Sequence, residues 1–357
     1  MKDLGRGKKI WFAVCAVLLL AALGCALGLH VLSAQLQSQR EAERWKGENE
    51  REFSQISCFL PGDSAVGTSE IYSFRYAVLD TLREADIEWN DDVLPFIDAW
   101  SREGKLKISG EKGSTDAPVL AVGGQFFAFH PLRLLDGSYL SEDDLSPDLV
   151  VLDRELAWEL FGGTALTGMS VQINGAEFII GGVVEREDDG ASRRAYSGAK
   201  GFFMSWDAWC ALGGQNAVNC YEIVLPEPVS GYAAQLVADS FPNKEGETVV
   251  NTGRFAFERL LQLARDLPGR AAHGGTVSYP YWENAARIRE NECAVLAAAS
   301  LLLGLPAAIT LLVELIRLLG RGKTALEEDL IPRAKEGVEE AVRVRARRRW
   351  EKKHGGN

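Results

Sequence analysis

Histidine is scarce in this 357-residue chain, with four residues at His30, His130, His273 and His354. They are scattered, and no two have the spacing of metal ligands, which speaks against a histidine-based zinc or iron centre. His130, before Pro131 in apolar surroundings, reads as a structural residue. A Gly-x-Ser-x-Gly nucleophile elbow is missing, as is a His-Glu-x-x-His zinc helix. The six cysteines follow no zinc pattern and form no disulfide framework. Cys15 and Cys25 lie in one apolar run and Cys293 opens another. That leaves Cys58, Cys210 and Cys220, an odd number, with Cys210 and Cys220 near enough in sequence to pair. The phosphate-binding loop is also incomplete. "GRGKT" (Gly320 to Thr324) copies its end, but Arg317 stands where its first glycine belongs. Any ATP site is therefore expected on another chain. No catalytic, cofactor-binding or metal-binding residue is assigned, and the chain reads as non-enzymatic.

Two long apolar blocks are present. Ile10 to Leu32 contains one ionisable residue, His30, and Cys293 to Val313 contains no charge. A bilayer core of about 30 Å needs about 20 helical residues, so each is long enough to span. Pro306, in the second block, is tolerated in membrane helices. A buried core helix would keep a polar face, and neither block has one. A cleaved signal peptide is the rival for the first block, with Lys8 and Lys9 as its basic start; no clear Ala-x-Ala site follows, and Leu23 fits a lipoprotein box at Cys25 poorly.

Charge is unevenly placed. Residues 1–9 carry +3 and residues 317–357 carry +5, so of the total of −11 the remainder between them carries −19. Basic flanks stay cytoplasmic, which predicts both termini inside and the acidic middle outside the cell membrane. An acidic exterior argues against nucleic acid as a partner. The basic stretch Arg343 to Lys353 reads as a topology anchor within reach of membrane lipid. Glu314 is expected at the inner interface beside Arg317. The carboxylates Asp143, Asp144, Asp188 and Asp189 read as solvated loop groups.

Between the blocks, residues 33–53 and 281–292 are polar and rich in helix formers, and are expected to continue the spans outward as stalks. Tyr279, Tyr281 and Trp282 are expected to pack beneath the domain and fix the second stalk's angle. Ser54 to Pro61 and Gly104 to Gly110 read as strands around a helix with Ile71, Phe74, Val78 and Leu82 at helical spacing and Ser69 as its cap. Asn219 to Pro226, a helix, and Glu247 to Thr252 repeat that order. Two such βαβ units can share one sheet in a split arrangement. Between them, Met169 to Glu185 is a hairpin by its alternation and its Asn174-Gly175 turn. Glu185 to Lys200 reads as an exposed loop.

The stretch Gly123 to Val184 carries further signs: Leu134 to Gly137, the strand Val150 to Leu152, a helix ending at Phe161-Gly162-Gly163, Gly168, and the strand pair Val171 to Val184. This order resembles the MacB-like periplasmic core domain of FtsX/MacB-class ABC transporter permeases. The resemblance implies an α+β membrane protein, a two-span, truncated variant of a family that usually has four spans. Two transmembrane helices would flank an extracytoplasmic domain made of a split βαβ porter-like subdomain and an inserted β-rich subdomain. The implied layout is a cytoplasmic N-terminus (1–9), span one (10–32), the MacB-like core (33–292), span two (293–316) and a basic cytoplasmic tail (317–357). Within the core, 54–110 with 218–252 form the porter-like part and 117–206 the inserted part. Also implied are a cytoplasmic ABC ATPase subunit and further permease subunits as partners, in transport or mechanotransmission. The alternative function is a stand-alone membrane-anchored binding or adaptor module.

Overall fold

The first apolar block forms a single helix in the computed structural model, α1 (Arg6–Ala34). The structure describes residues 6–354 apart from 48–50, 88, 90–93, 143, 145, 197–199, 243–244, 271–276 and 326–330. Asp143 and His273 therefore lie outside the described residues. After α1 come α2 (Glu41–Lys46), β1 (Phe53–Phe59), α3 (Thr68–Glu84), β2 (Ile97–Gly110), β3 (Gly113–Gly124), α4 (Phe126–Phe129), β4 (Arg133–Gly137), β5 (Leu149–Asp153) and α5 (Arg154–Leu160). They are followed by β6 (Ser170–Ile173), β7 (Ala176–Glu185), α6 (Gly190–Ala195), β8 (Phe202–Ser205), α7 (Trp206–Ala211), β9 (Cys220–Pro226), α8 (Tyr232–Ser240) and β10 (Glu247–Val250). Last come α9 (Phe257–Arg270), α10 (Tyr281–Ala325) and α11 (Ile331–His354). The chain divides into two compact units, residues 1–28 with 296–357 and residues 29–295.

In the first unit, α1 and α10 supply two helices long and apolar enough to cross a membrane, with mean hydropathies of 2.6 and 2.3 over their most apolar windows. Only 6% and 11% of those windows are buried, so neither is the core helix of a soluble fold. Leu20, Leu302, Leu305 and Ile309 instead face outward. Small residues line the contact between the helices: a Cβ at Gly304 would lie 3.1 Å from that of Ala22, and one at Gly28 would lie 3.6 Å from Leu296. Close approach through small residues is how membrane helices gain dispersion energy where no hydrophobic effect separates them from lipid. Pro306 lies inside α10, where the Thr310 hydroxyl donates to its carbonyl at 2.8 Å. Glu314 pairs with Arg317 at 2.9 Å, one turn on. Gly320 to Thr324 is helical, so its backbone does not form a phosphate cradle.

The second unit is built on one ten-stranded sheet in the order β10-β1-β9-β2-β3-β8-β5-β7-β4, with β6 pairing with both β2 and β7. In the first four strands, β9 splits the β1-α3-β2 unit and β1 splits the β9-α8-β10 unit, every neighbouring pair being antiparallel. The sheet then continues through the β2–β3 hairpin, whose register runs from Ala99↔Gly124 to Gly110↔Gly113. The strands form a single hydrogen-bonded surface, because β2 and β3 are long enough to join the split pairing to the strands beyond it. Its two parallel pairings are β3 with β8 and β5 with β7.

Strand alternation divides the core between the two faces. Tyr221, Ile223 and Leu225 join α3 and α8 on one face, while Cys220 and Val224 join α4 and Trp282 on the other. Ile71, Phe74, Val78 and Leu82 of α3 are almost wholly buried. Burial of each such side chain is worth about 1.5–3 kcal/mol, which outweighs the modest helix propensity of the β-branched pair among them. Arg75 locks the same helix to β2 through two bonds to Asp98, at 2.7 and 2.8 Å, and Tyr221 donates to that carboxylate at 2.8 Å.

Several expectations change. The first stalk is not a continuous helix: α1 ends at Ala34, a 3-10 turn occupies Gln37–Gln39, and α2 follows. Gln55 explains the break, since its buried amide donates to Ser38 O at 2.7 Å and its carbonyl accepts from Glu41 N at 2.9 Å, pulling the segment onto β1. The cap of α3 is Gly67 rather than Ser69; the Glu70 carboxylate accepts from Gly67 N at 2.9 Å and from Ser69 Oγ at 2.8 Å. The loop Glu185 to Lys200 contains α6, with Ala191 and Ser192 buried. Asp189 is no solvated carboxylate: it caps that helix, accepting from Ala191 N and Ser192 N. Cys210 and Cys220 are unpaired, like all six cysteines. Burial pushes the Cys58 thiol up to about 12, so it is inert at neutral pH.

Asn174 and Gly175 both have positive φ, +49° and +87°, as the two-residue turn between β6 and β7 requires. Gly124 has φ +62°, and a Cβ there would lie 2.4 Å from Asp98 O. Gly124→Ala is therefore expected to cost more than about 1 kcal/mol in chemical unfolding, from left-handed strain and a backbone clash together.

Candidate functional site

Helix α10 begins after Pro280, whose carbonyl accepts from Glu283 N and Asn284 N, both at 3.1 Å. Glu283 in its first turn complements the helix dipole. Residues 283, 287 and 290 are spaced four and three apart, so they share one face. The structure turns that face inward. Glu283 is 1% and Glu290 9% exposed, and Arg254, 4% exposed, lies between them.

Every N–H of Arg254 is used. Nη1 and Nη2 donate to the two oxygens of Glu283 at 2.7 and 2.8 Å, and Nε and Nη2 donate to those of Glu290 at 2.7 and 3.3 Å. The second proton of Nη1 goes to Gln39 Oε1 at 3.0 Å. A guanidinium carries five such donors in a fixed fork, so this geometry leaves none orphaned. Burial works to lower the pKa of Arg254, but the two carboxylates outweigh it and hold the group above its ordinary value. Arg254 therefore stays charged.

Two more arginines extend the joint. Arg287 pairs with Glu283 at 2.6 Å and with Glu247 of β10 at 2.6 Å, and lies over the Tyr279 ring at 3.9 Å. Arg289, 3% exposed, bonds Asp189 at 2.7 Å, Gln35 at 2.9 Å and Glu292 at 2.8 Å. Arg194 of α6 also pairs with Glu292. On the neighbouring side, Ala285 and Ala286 pack with Leu36 and Ala191. The segment leaving α1, the loop after β10 and α6 thus all grip the same three turns of α10.

The end of the helix is seated on the sheet. Trp282, 2% exposed, lies 4.3 Å from the His130 ring and 5.7 Å from Phe126 between ring centroids. Beneath it, His130 Nε2 lies 2.6 Å from Glu222 Oε2, Ser57 Oγ donates to Glu222 Oε1 at 3.0 Å, and Asn251 Nδ2 donates to Ser57 at 2.7 Å. His130 is thus structural: it supports a tryptophan and hydrogen-bonds a buried carboxyl group. Tyr279 packs edge-on against Phe59, and Tyr281 stacks on Tyr196 at 4.1 Å. All three aromatics expected beneath the domain are packed there.

No reacting group emerges from this arrangement. The Ser57, Glu222 and His130 chain has the carboxylate in the middle, and all three residues are buried, so the serine has no base and no route to substrate. Among the described residues, no group of three or more His, Cys, Asp or Glu gathers as a metal site would. A cavity of about 310 Å³ adjoins the joint, lined by Tyr196, Phe202, Phe203, Tyr279 and Tyr281 with Arg186. What the arrangement can do is fix the angle and register of a helix. Sequence reading took residues 281–292 as a solvated stalk and missed Arg254 altogether. The available signal was the Glu283, Arg287, Glu290 spacing beside Ala285 and Ala286, a face too compact to be purely solvated.

Asp189 makes part of this joint sensitive to acid. Burial acts to raise its pKa, but bonds from Ser192, Ala191 and Arg289 outweigh that and hold it below the ordinary value. A carboxyl depressed in the folded state contributes stability above its unfolded pKa and loses it as pH falls through the folded value. The tie between α6 and α10 is therefore expected to be complete at pH 7 and to loosen below about pH 4. Hydrogen exchange over residues 190–195 checks this, with Asp189→Asn raising exchange at pH 7 and flattening its pH dependence.

A mixed α+β domain flanked by two helices of membrane-crossing length defines the class: a domain carried on membrane-type helices. Residues 60–236 match the family model of the MacB-like periplasmic core domain, and this stretch is similar to such a domain. No curated protein matches the chain. Among solved structures, it is similar to the periplasmic region of MacB from Actinobacillus actinomycetemcomitans, at 16% identity and TM-score 0.41, over 56% of this chain and 89% of that one. It is also similar to the extracellular domain of the noncanonic ABC-type transporter YknZ from Gram-positive bacteria, at 16% identity and TM-score 0.38, over 56% and 99%.

Proposed function

We propose that this chain is a non-enzymatic, permease-like membrane subunit of an ABC-type transport or mechanotransmission complex. It couples a cytoplasmic ATPase to an extracytoplasmic domain. The observation that carries this reading is the buried Arg254 clamp, which joins a MacB-like core domain to the first turns of α10. A ligand-binding module on a tether has no need of such a joint; a domain that must follow a helix does. Both termini lie in the cytoplasm and the acidic domain outside the cell membrane, in keeping with the basic flanks. Residues 10–32 and 293–316 are the spans, and residues 33–292 are the external core. Its split βαβ part, 54–110 with 218–252, is the porter-like half, and 117–206 is the inserted half.

Affinity purification of the intact chain from mild detergent, with a non-hydrolysable ATP analogue present, is expected to recover an ABC ATPase. Recovery of neither an ATPase nor another membrane subunit would favour a stand-alone membrane-anchored binding or adaptor module. Topology is tested separately. Arg193 is exposed, so Arg193→Cys is expected to react with an impermeant thiol reagent on intact cells.

A further inference from the structure

Helix α11 enters the reading above only through its basic charge. It is 24 residues long, and its residues 334–349 are all exposed. At 100° per residue, Ala334, Val338, Ala341 and Val342 form one stripe, which Arg345 and Arg349 continue. Val338 is 64% and Val342 60% exposed. Lys335 and Arg348 flank the stripe, whereas Glu336, Glu339 and Glu340 fall off it, and so does Val344. Residues 343–349, "RVRARRR", hold five arginines and no acid. One face is therefore weakly apolar and bordered by cations, with the acids turned elsewhere.

We propose that α11 lies on the membrane and docks its Val338 and Val342 face among anionic lipid headgroups. Charge complementarity selects this occupant. The apolar stripe is too narrow for a helix-in-groove contact, while its rim of arginines suits phosphate oxygens, which guanidinium groups bind in pairs. Arginine stems can also lie along the acyl boundary with their heads in the phosphate layer. The tether agrees: the six peptide links from Ala325 to Ile331 reach at most about 22 Å, so α10 holds α11 close to the bilayer it enters. The proposal rests on the membrane part of the proposed function and not on an ATPase partner.

The test uses the full chain in lipid nanodiscs of phosphatidylcholine, with or without phosphatidylglycerol. Cys25 and Cys210, the two half-buried thiols, are replaced by alanine, and an environment-sensitive fluorophore is attached at Val338→Cys. Co-elution with the discs reports insertion independently. In discs with phosphatidylglycerol the label is expected to shift to the blue and resist an aqueous quencher; in phosphatidylcholine alone, or at high salt, it is not. Replacing Arg345, Arg348 and Arg349 with glutamine should weaken the association roughly a hundredfold. A chain that does not insert overturns the membrane reading and this proposal with it. An inserted chain whose label ignores lipid charge overturns this proposal alone. Shielding that appears only on adding RNA, or only with a protein partner, assigns the face to that macromolecule and overturns it too.

Discussion

Arg254→Met is expected to lower the unfolding free energy of the detergent-solubilised chain by about 3–5 kcal/mol. The magnitude comes from what is left behind. Glu283 and Glu290 accept two bonds each from Arg254 and are nearly inaccessible to water. Without the guanidinium they stand as neighbouring anions in a dry site, and Gln39 loses its donor. Arg287 compensates only Glu283. A buried ion cluster is weak evidence for net stability, because desolvation offsets much of its attraction. Replacing the whole cluster (Arg254→Met, Glu283→Gln, Glu290→Gln) should therefore recover most of the loss. Chemical denaturation of both variants separates the two effects. If the single substitution costs less than about 1 kcal/mol, Arg254 is behaving as a solvated surface residue and the clamp is not tight. Recovered stability combined with lost recovery of an ATPase in the affinity purification would place the clamp's value in register rather than in stability.

Trp282→Ala is the second large effect, expected at about 3–5 kcal/mol. The indole fills the space between Phe126, His130 and Tyr281, and α10 is pinned by Arg254 and cannot collapse into the gap. The void would also open onto the Glu222 network and admit water to a carboxylate paired with His130. Trp282→Phe keeps most of the volume and should cost less than half as much. Near-UV circular dichroism with thermal unfolding measures both. Equal losses for Phe and Ala would show that shape, rather than volume, is what the site requires.

The elements that were legible in the sequence share one property: their signal is local. The hairpin at Asn174-Gly175 needs two adjacent residues that tolerate positive φ, and alternation on either side fixes its register. Helix α3 shows its buried face at Ile71, Phe74, Val78 and Leu82. The order strand-helix-strand, met twice, was enough to expect a split pairing, because few topologies accommodate it. What was not legible depends on residues distant in sequence. The break after Ala34 is imposed by Gln55, and nothing in residues 33–53, which favour helix throughout, reports it. Gln39, Arg254 and Glu283 are brought together only by the finished fold, so the polar run 281–292 looked solvated. Helix α6 was hidden for a similar reason, since its short polar sequence becomes helical where Asp189 is held by Arg289. The continuity of the sheet also escaped notice, because Gly104 to Gly110 shows the strand only where its alternation is clear, and Ile97 to Glu103 extends it.

The β2–β3 hairpin has a mechanical consequence. Its twelve paired positions cannot slip by one residue without reversing every side chain relative to the two cores. Shear between the halves of the domain is therefore forbidden, and hinging would have to break a ladder that belongs to both. The permitted deformation is torsion, an added turn to a surface that is already twisted. Rotation is thus the change of shape this ladder tolerates without losing its register.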